Sequence, residues 1–206
     1  MNKEITKLVL PNKKINSFTI SILILGFICG CIFLVMLSKE DSTNTINQIT
    51  NYFLKIKQNE INTIEAFKNS LITNYIYIGL IFLLGLSIIG LIFNVFIIYI
   101  KGFITGFTLS AMILTYKIKG ILSSLIYLIF GQVIGLISII LIGIYGFMFS
   151  LNLIKLIFNK KKNTDNNLFK KYIIILGCCI IIGFISSFLE VFFLPRILKL
   201  FIKLYV

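Results

Sequence analysis

Apolar positions run in long blocks along this chain, separated by short polar punctuation. The first block, Ser17 to Leu37, is 21 residues without a charge. At about 1.5 Å per residue it spans roughly 30 Å of hydrocarbon. Leu37-Ser38-Lys39-Glu40 offers no small-residue exit site, so the block predicts an uncleaved first span. Tyr75 to Ile100 is 26 residues without a charge and predicts a tilted span that ends at Lys101. Gly102 to Tyr116 is a further apolar run of 15 residues, closed by Lys117 and Lys119. Tyr172 to Leu194 forms the last block and stops at Pro195.

Gly120 to Ile154 runs for 35 residues without a charge, too long for one span and too short for two with a turn. Gly131-Gln132 falls where a break is useful. Gly120–Phe130 then reads as a short re-entrant or interfacial helix, and Gln132–Ile154 as a full span. A broken helix at membrane depth needs protein or water around its freed backbone groups.

The one long polar stretch is Ser38 to Asn74. Ile46, Ile49, Phe53 and Ile56 recur there at helical spacing, as do Ile64, Phe67 and Leu71. Asn62-Thr63-Ile64-Glu65 has the form of a helix start. Two amphipathic helices follow, the second running into the next span. They read either as a linker lying on the bilayer or as a partner-docking surface carried by Ile49, Phe53 and Ile56. Arg196, Lys199 and Lys203 lie at i, i+3 and i+7 of an otherwise apolar tail, 196–206, which predicts an interfacial helix.

The result is a single all-α membrane domain over residues 1–206, with about five transmembrane helices, one of them broken or re-entrant, and an outer amphipathic segment. The basic N-terminus, 1–16, and the lysine-rich loop, 155–171, belong in the cytoplasm. The 38–74 segment and the tail belong outside.

Composition reinforces this. Apolar residues make up 58% of the 206, charged ones 13%, and the mean hydropathy is +1.02. Soluble domains run at about 45–50% apolar. The net charge of +13 comes from lysines that flank apolar blocks, so lipid headgroups rather than nucleic acid are the expected counterpart. There is no histidine, which removes His-based acid–base chemistry and His-ligated zinc. Cys29, Cys31, Cys178 and Cys179 all lie in apolar runs and read as small hydrophobes, not as a disulfide or metal framework. No cofactor is expected.

Of seven acidic residues only Glu190 lies inside an apolar block, near its outer end. It reads as structurally paired, with Lys117 and Lys119 as candidate partners, or as a relay or partner contact. Asn94 and Gln132 are neutral polar groups suited to interhelical hydrogen bonds. Gly26/Gly30, Gly102/Gly106 and Gly131/Gly135 form small-residue repeats that allow close helix approach, within the chain first and in a homo-oligomer second.

Four segments carry a family resemblance: Tyr77–Gly90, with Gly85 and Gly90 in it; Ile100–Thr108; Phe149–Lys155; and Phe188–Pro195, an aromatic–acid–proline ending. In this order and spacing the chain resembles the stage II sporulation protein M family. Where that family often has Pro-Gln-Asn, this chain reads Gly131-Gln132-Val133. The resemblance implies a membrane protein of the mother cell in an endospore former. It also implies a role in engulfment, as a scaffold without catalysis that holds two wall-degrading partners, stage II sporulation proteins D and P. A permease-like transporter subunit is the alternative, since a broken helix and a buried acid also suit a translocation path. An intramembrane enzyme would need paired acids or a nucleophile with a base, and neither pattern is visible.

Overall fold

A computed structural model describes the backbone of residues 13–159 and 166–205, with side chains over 13–157 and 168–200. Residues 1–12 of the basic N-terminus, Lys160, Lys161 and Lys162 of the basic loop, and the side chain of Lys203 lie outside the described residues. The helices are α1 (Lys13–Met36), α2 (Lys39–Gln58), α3 (Thr63–Gly85), α4 (Gly90–Tyr116), α5 (Ile118–Ile126), α6 (Val133–Asn159), α7 (Asn166–Phe188) and α8 (Leu194–Tyr205). A π-helical turn at Tyr127–Gln132 joins α5 to α6, and another at Leu189–Phe193 joins α7 to α8. Among the described residues, five continuous stretches are long and apolar enough to cross a membrane: α1, α3, α4, Ile118–Ile157 and Leu168–Leu200. The protein is an all-α polytopic membrane protein.

The expected Tyr75–Ile100 span is instead a hairpin. Asn62 caps α3 by accepting the Glu65 N–H, so this helix starts early and crosses by Gly85. The chain then turns at residues 86–89. Ser87 competes with the helix for backbone bonds: its hydroxyl donates to the Leu84 carbonyl at 3.0 Å and accepts the Gly90 N–H at 2.9 Å. The carbonyls freed at the turn are taken by Ser150 of α6, whose hydroxyl lies 2.9 Å from both Gly85 O and Ser87 O. Gly90 is required there, because a Cβ would overlap the Leu84 carbonyl. Moving the turn from residue 101 to residues 86–89 leaves Lys101 in the middle of α4.

The strongest helix pairing is α1 with α4. It is a parallel crossing built on glycine. A Cβ on Gly26 would overlap the Tyr99 carbonyl, and one on Gly30 the Phe103 carbonyl. From the other side, Gly102 meets Leu23 and Gly106 meets Phe27 in the same way. Backbones at this separation gain dispersion contact that side chains would block. Gly85 sits against the Tyr172 hydroxyl and the Gly146 backbone, and Gly135 lies beside Ser186. Gly131 meets only ordinary side-chain contacts, so its role in helix approach is small.

The 118–157 stretch does not re-enter. It continues through the π turn as one helical path, with helical φ and ψ on both sides of the turn. The last stretch likewise runs on through Pro195. Proline lacks the N–H and crowds the carbonyl one turn back, and the preceding turn widens so that Leu194 N–H bonds Leu189 O.

Two apolar clusters fill the bundle. One lies toward the hairpin and centres on Ile78, Ile81, Ile98, Ile142, Tyr145 and Tyr172. The other lies toward α2 and holds Phe53, Ile56, Met112, Ile126, Leu194 and Leu198. The Phe53–Ile56 stripe, expected as an outer docking surface, is thus occupied by the chain's own spans. Ile49 packs at the margin of the same cluster. Burying two large apolar side chains is worth about 1.5–3 kcal/mol each, which outweighs leaving them for a partner.

Candidate functional site

The two π turns pack against each other and put polar side chains between the apolar clusters. Glu190 comes from the second turn and Gln132 from the end of the first. Ser70 of α3 donates its hydroxyl to Glu190 Oε2 at 2.6 Å. Gln132 Nε2 donates to Glu190 Oε1 at 3.3 Å and to the Tyr127 hydroxyl at 2.9 Å. Asn74, one turn below Ser70, donates to Ser187 Oγ at 2.9 Å. The carboxylate therefore links α3 to both π turns, and a second bond ties α3 to α7.

These groups line a cavity of about 360 Å³. Lys101 enters it from α4 with only 7% of its surface exposed. Its ammonium lies over the Tyr77 ring, 5.1 Å from the centroid. It makes no direct ion pair with Glu190, although the two charges share the cavity. Tyr52 of α2 closes the top. Burial, and then the negative charge of Glu190, push its phenol up to about 12, so it stays neutral.

Lys117 and Lys119, the expected partners of Glu190, stand exposed at the turn between α4 and α5 and do not line the cavity. The cation near Glu190 is Lys101. The reason is the hairpin: it moves Lys101 from a loop to mid-helix, on the face toward the π turns. Asn94 is fully buried near Gly146, but neither its amide nitrogen nor its oxygen has a hydrogen-bond partner among the described residues, so it makes no interhelical bond. Ser70, Asn74, Tyr127 and Lys101 escaped the sequence reading. A signal existed for Lys101. With the break set at Ser87–Gly90, the flanking helices have matched lengths and Lys101 falls in the middle of the second.

The sequence model of stage II sporulation protein M matches residues 19–195, most of the chain. The chain belongs to the stage II sporulation protein M family. As a member it is a sporulation-associated, multi-pass membrane protein. The family match takes in both π turns and at least most of each span, and it ends at Pro195, beside the cavity. No curated protein and no solved structure matches the chain.

Proposed function

We propose that this family member is a non-enzymatic scaffold of the engulfment machinery, which holds stage II sporulation proteins D and P at the engulfing membrane. The observation that supports this reading is the mounting of α2. Phe53 and Ile56 fix the helix to the spans, while Asn44, Gln48, Asn51 and Lys55 form an exposed polar stripe on its other face. A helix held this way offers a rigid platform, with little ordering cost when a partner binds. Docking then uses the polar face of α2, on the outer side of the mother-cell membrane.

The test is co-purification. Glutamate at Asn44, Asn51 and Lys55 should abolish recovery of the D and P proteins while the membrane level of the variant stays normal. Unchanged recovery would sink the α2 platform. A permease-like subunit is the second reading, favoured by Lys101, which gives the cavity a second charge at membrane depth. Recovery of an ATPase in place of the wall-degrading partners would decide for it.

A further inference from the structure

Lys101 carries a charge at membrane depth. It is nine-tenths buried, yet no described side chain or carbonyl accepts a hydrogen bond from its ammonium. The Tyr77 ring covers one side only. An ammonium has three donors, and leaving them bare in a low-dielectric site is costly. Glu190 accepts two hydrogen bonds and has further lone pairs open. The chain holds these opposite charges in one cavity without letting them meet.

That arrangement selects its occupant. A simple anion drawn to Lys101 would face the Glu190 carboxylate, and a simple cation at Glu190 would face Lys101. A molecule carrying both charges a few bonds apart satisfies both ends. The route in is equally specific. Asn69 and Thr73 of α3 and Ile104 of α4 form an exposed rim, with Ile104 45% open, so the cavity opens sideways between two spans. Its volume of about 360 Å³ suits a phosphoethanolamine group and excludes acyl chains as well.

We propose that this cavity binds the zwitterionic headgroup of a bilayer lipid, with its phosphate on Lys101 and its ammonium on Glu190. The acyl chains stay in the bilayer outside the rim. A free zwitterion has the same charges, but the sideways opening into lipid favours the lipid form.

The test uses the full-length protein in nanodiscs containing equal amounts of phosphatidylethanolamine and phosphatidylglycerol, with bound lipid counted by native mass spectrometry. The wild type should retain phosphatidylethanolamine in preference. Lys101→Gln should lose about tenfold of that retention, the usual worth of a hydrogen bond to a charged group. Lys101→Arg should keep it, and both should elute as the wild type does. Glu190→Gln should still hold lipid but lose the preference for phosphatidylethanolamine. Asn94→Ala, outside the cavity, should change nothing. Equal retention by Lys101→Gln, loss in the arginine variant as well, or no preference in the wild type would overturn the proposal. Saturation of the site by soluble phosphoethanolamine, with no lipid retained, would overturn the lipid assignment.

Discussion

Gly106 lies against the backbone of Phe27, so close that a single methyl group on it would overlap the Phe27 carbonyl. The neighbouring Gly30 stands in the same relation to Phe103. Alanine at either position must push α1 and α4 apart. Each should cost about 1–3 kcal/mol, read as a lower thermal midpoint of the purified protein. Alanine at Gly177, whose added Cβ would meet nothing within 4 Å, is the matched control and should be neutral. Equal midpoints for all three would remove the glycine crossing as a source of stability.

Glu190→Gln should lower protein level, because Lys101 then shares its cavity with no opposing charge. Adding Lys101→Gln should partly restore the level, because it removes the charge left unopposed in the cavity. Adding Lys117→Gln should restore nothing. Rescue by the Lys117 change, with none from Lys101, would mean that Lys117 and not Lys101 faces Glu190.

Phe53→Ala should destabilise the protein by about 3–5 kcal/mol, and Ile56→Ala by about 2–5 kcal/mol. The damage should be local, seen as faster proteolysis within residues 39–58. Asn51→Ala, on the exposed face of the same helix, should leave the cleavage rate unchanged. Wild-type resistance in Phe53→Ala would mean that α2 is not held by its apolar stripe.

Ser150→Ala removes the donor that serves both Gly85 O and Ser87 O. The cost should be about 1–3 kcal/mol for acceptors left unpaired in a buried turn. Lipid retention should not change, since the hairpin turn is at the other end of α3 from the cavity. A thermal scan paired with the lipid count separates the two effects.

Orientation is tested with single cysteines in a background lacking Cys29, Cys31, Cys178 and Cys179. A membrane-impermeant thiol reagent should label Thr45→Cys in intact protoplasts, and Asn163→Cys only after lysis. The reverse pattern would invert the bundle. Moving Lys101 into the membrane leaves this expectation in place, because the hairpin preserves the number of crossings between residues 45 and 163.

Hydropathy alone made the helical membrane class legible, and Asn62-Thr63-Ile64-Glu65 marked a helix start that the structure keeps as the α3 cap. The hairpin was hidden because Ser87 and Gly90 are apolar-compatible residues, and their break depends on Ser150, 63 residues beyond Ser87. A lysine is the usual sign of a span end, so Lys101 drew the boundary to itself. The fate of the α2 stripe was equally invisible. Amphipathic spacing says that one face is buried, not whether a partner or the chain itself covers it. The Ser70–Glu190–Gln132 link joins residues from distant segments, and nothing local announces it.

The π turns carry a consequence in helical phase. A π turn closes i→i+5 bonds where an α-helix closes i→i+4, so it inserts about one residue into the path. One residue corresponds to about 100° of rotation at 3.6 residues per turn. Everything before the insertion is therefore rotated relative to everything after it. In the last span, that offset lets Ser187, on one side of the insertion, meet Asn74 while Leu194 and Leu198, on the other, pack on α2. A one-residue deletion within 189–193 that lets the turn close as α-helix keeps Ser187 and Leu194 in the same relative phase, because the residue lost is the one the turn absorbs. A deletion elsewhere in that span rotates everything beyond it by about 100° and turns part of its buried face toward lipid, while leaving composition and hydropathy almost untouched. The position of the polar cavity is encoded in a count of residues, and a deletion scan reads it where a substitution scan cannot.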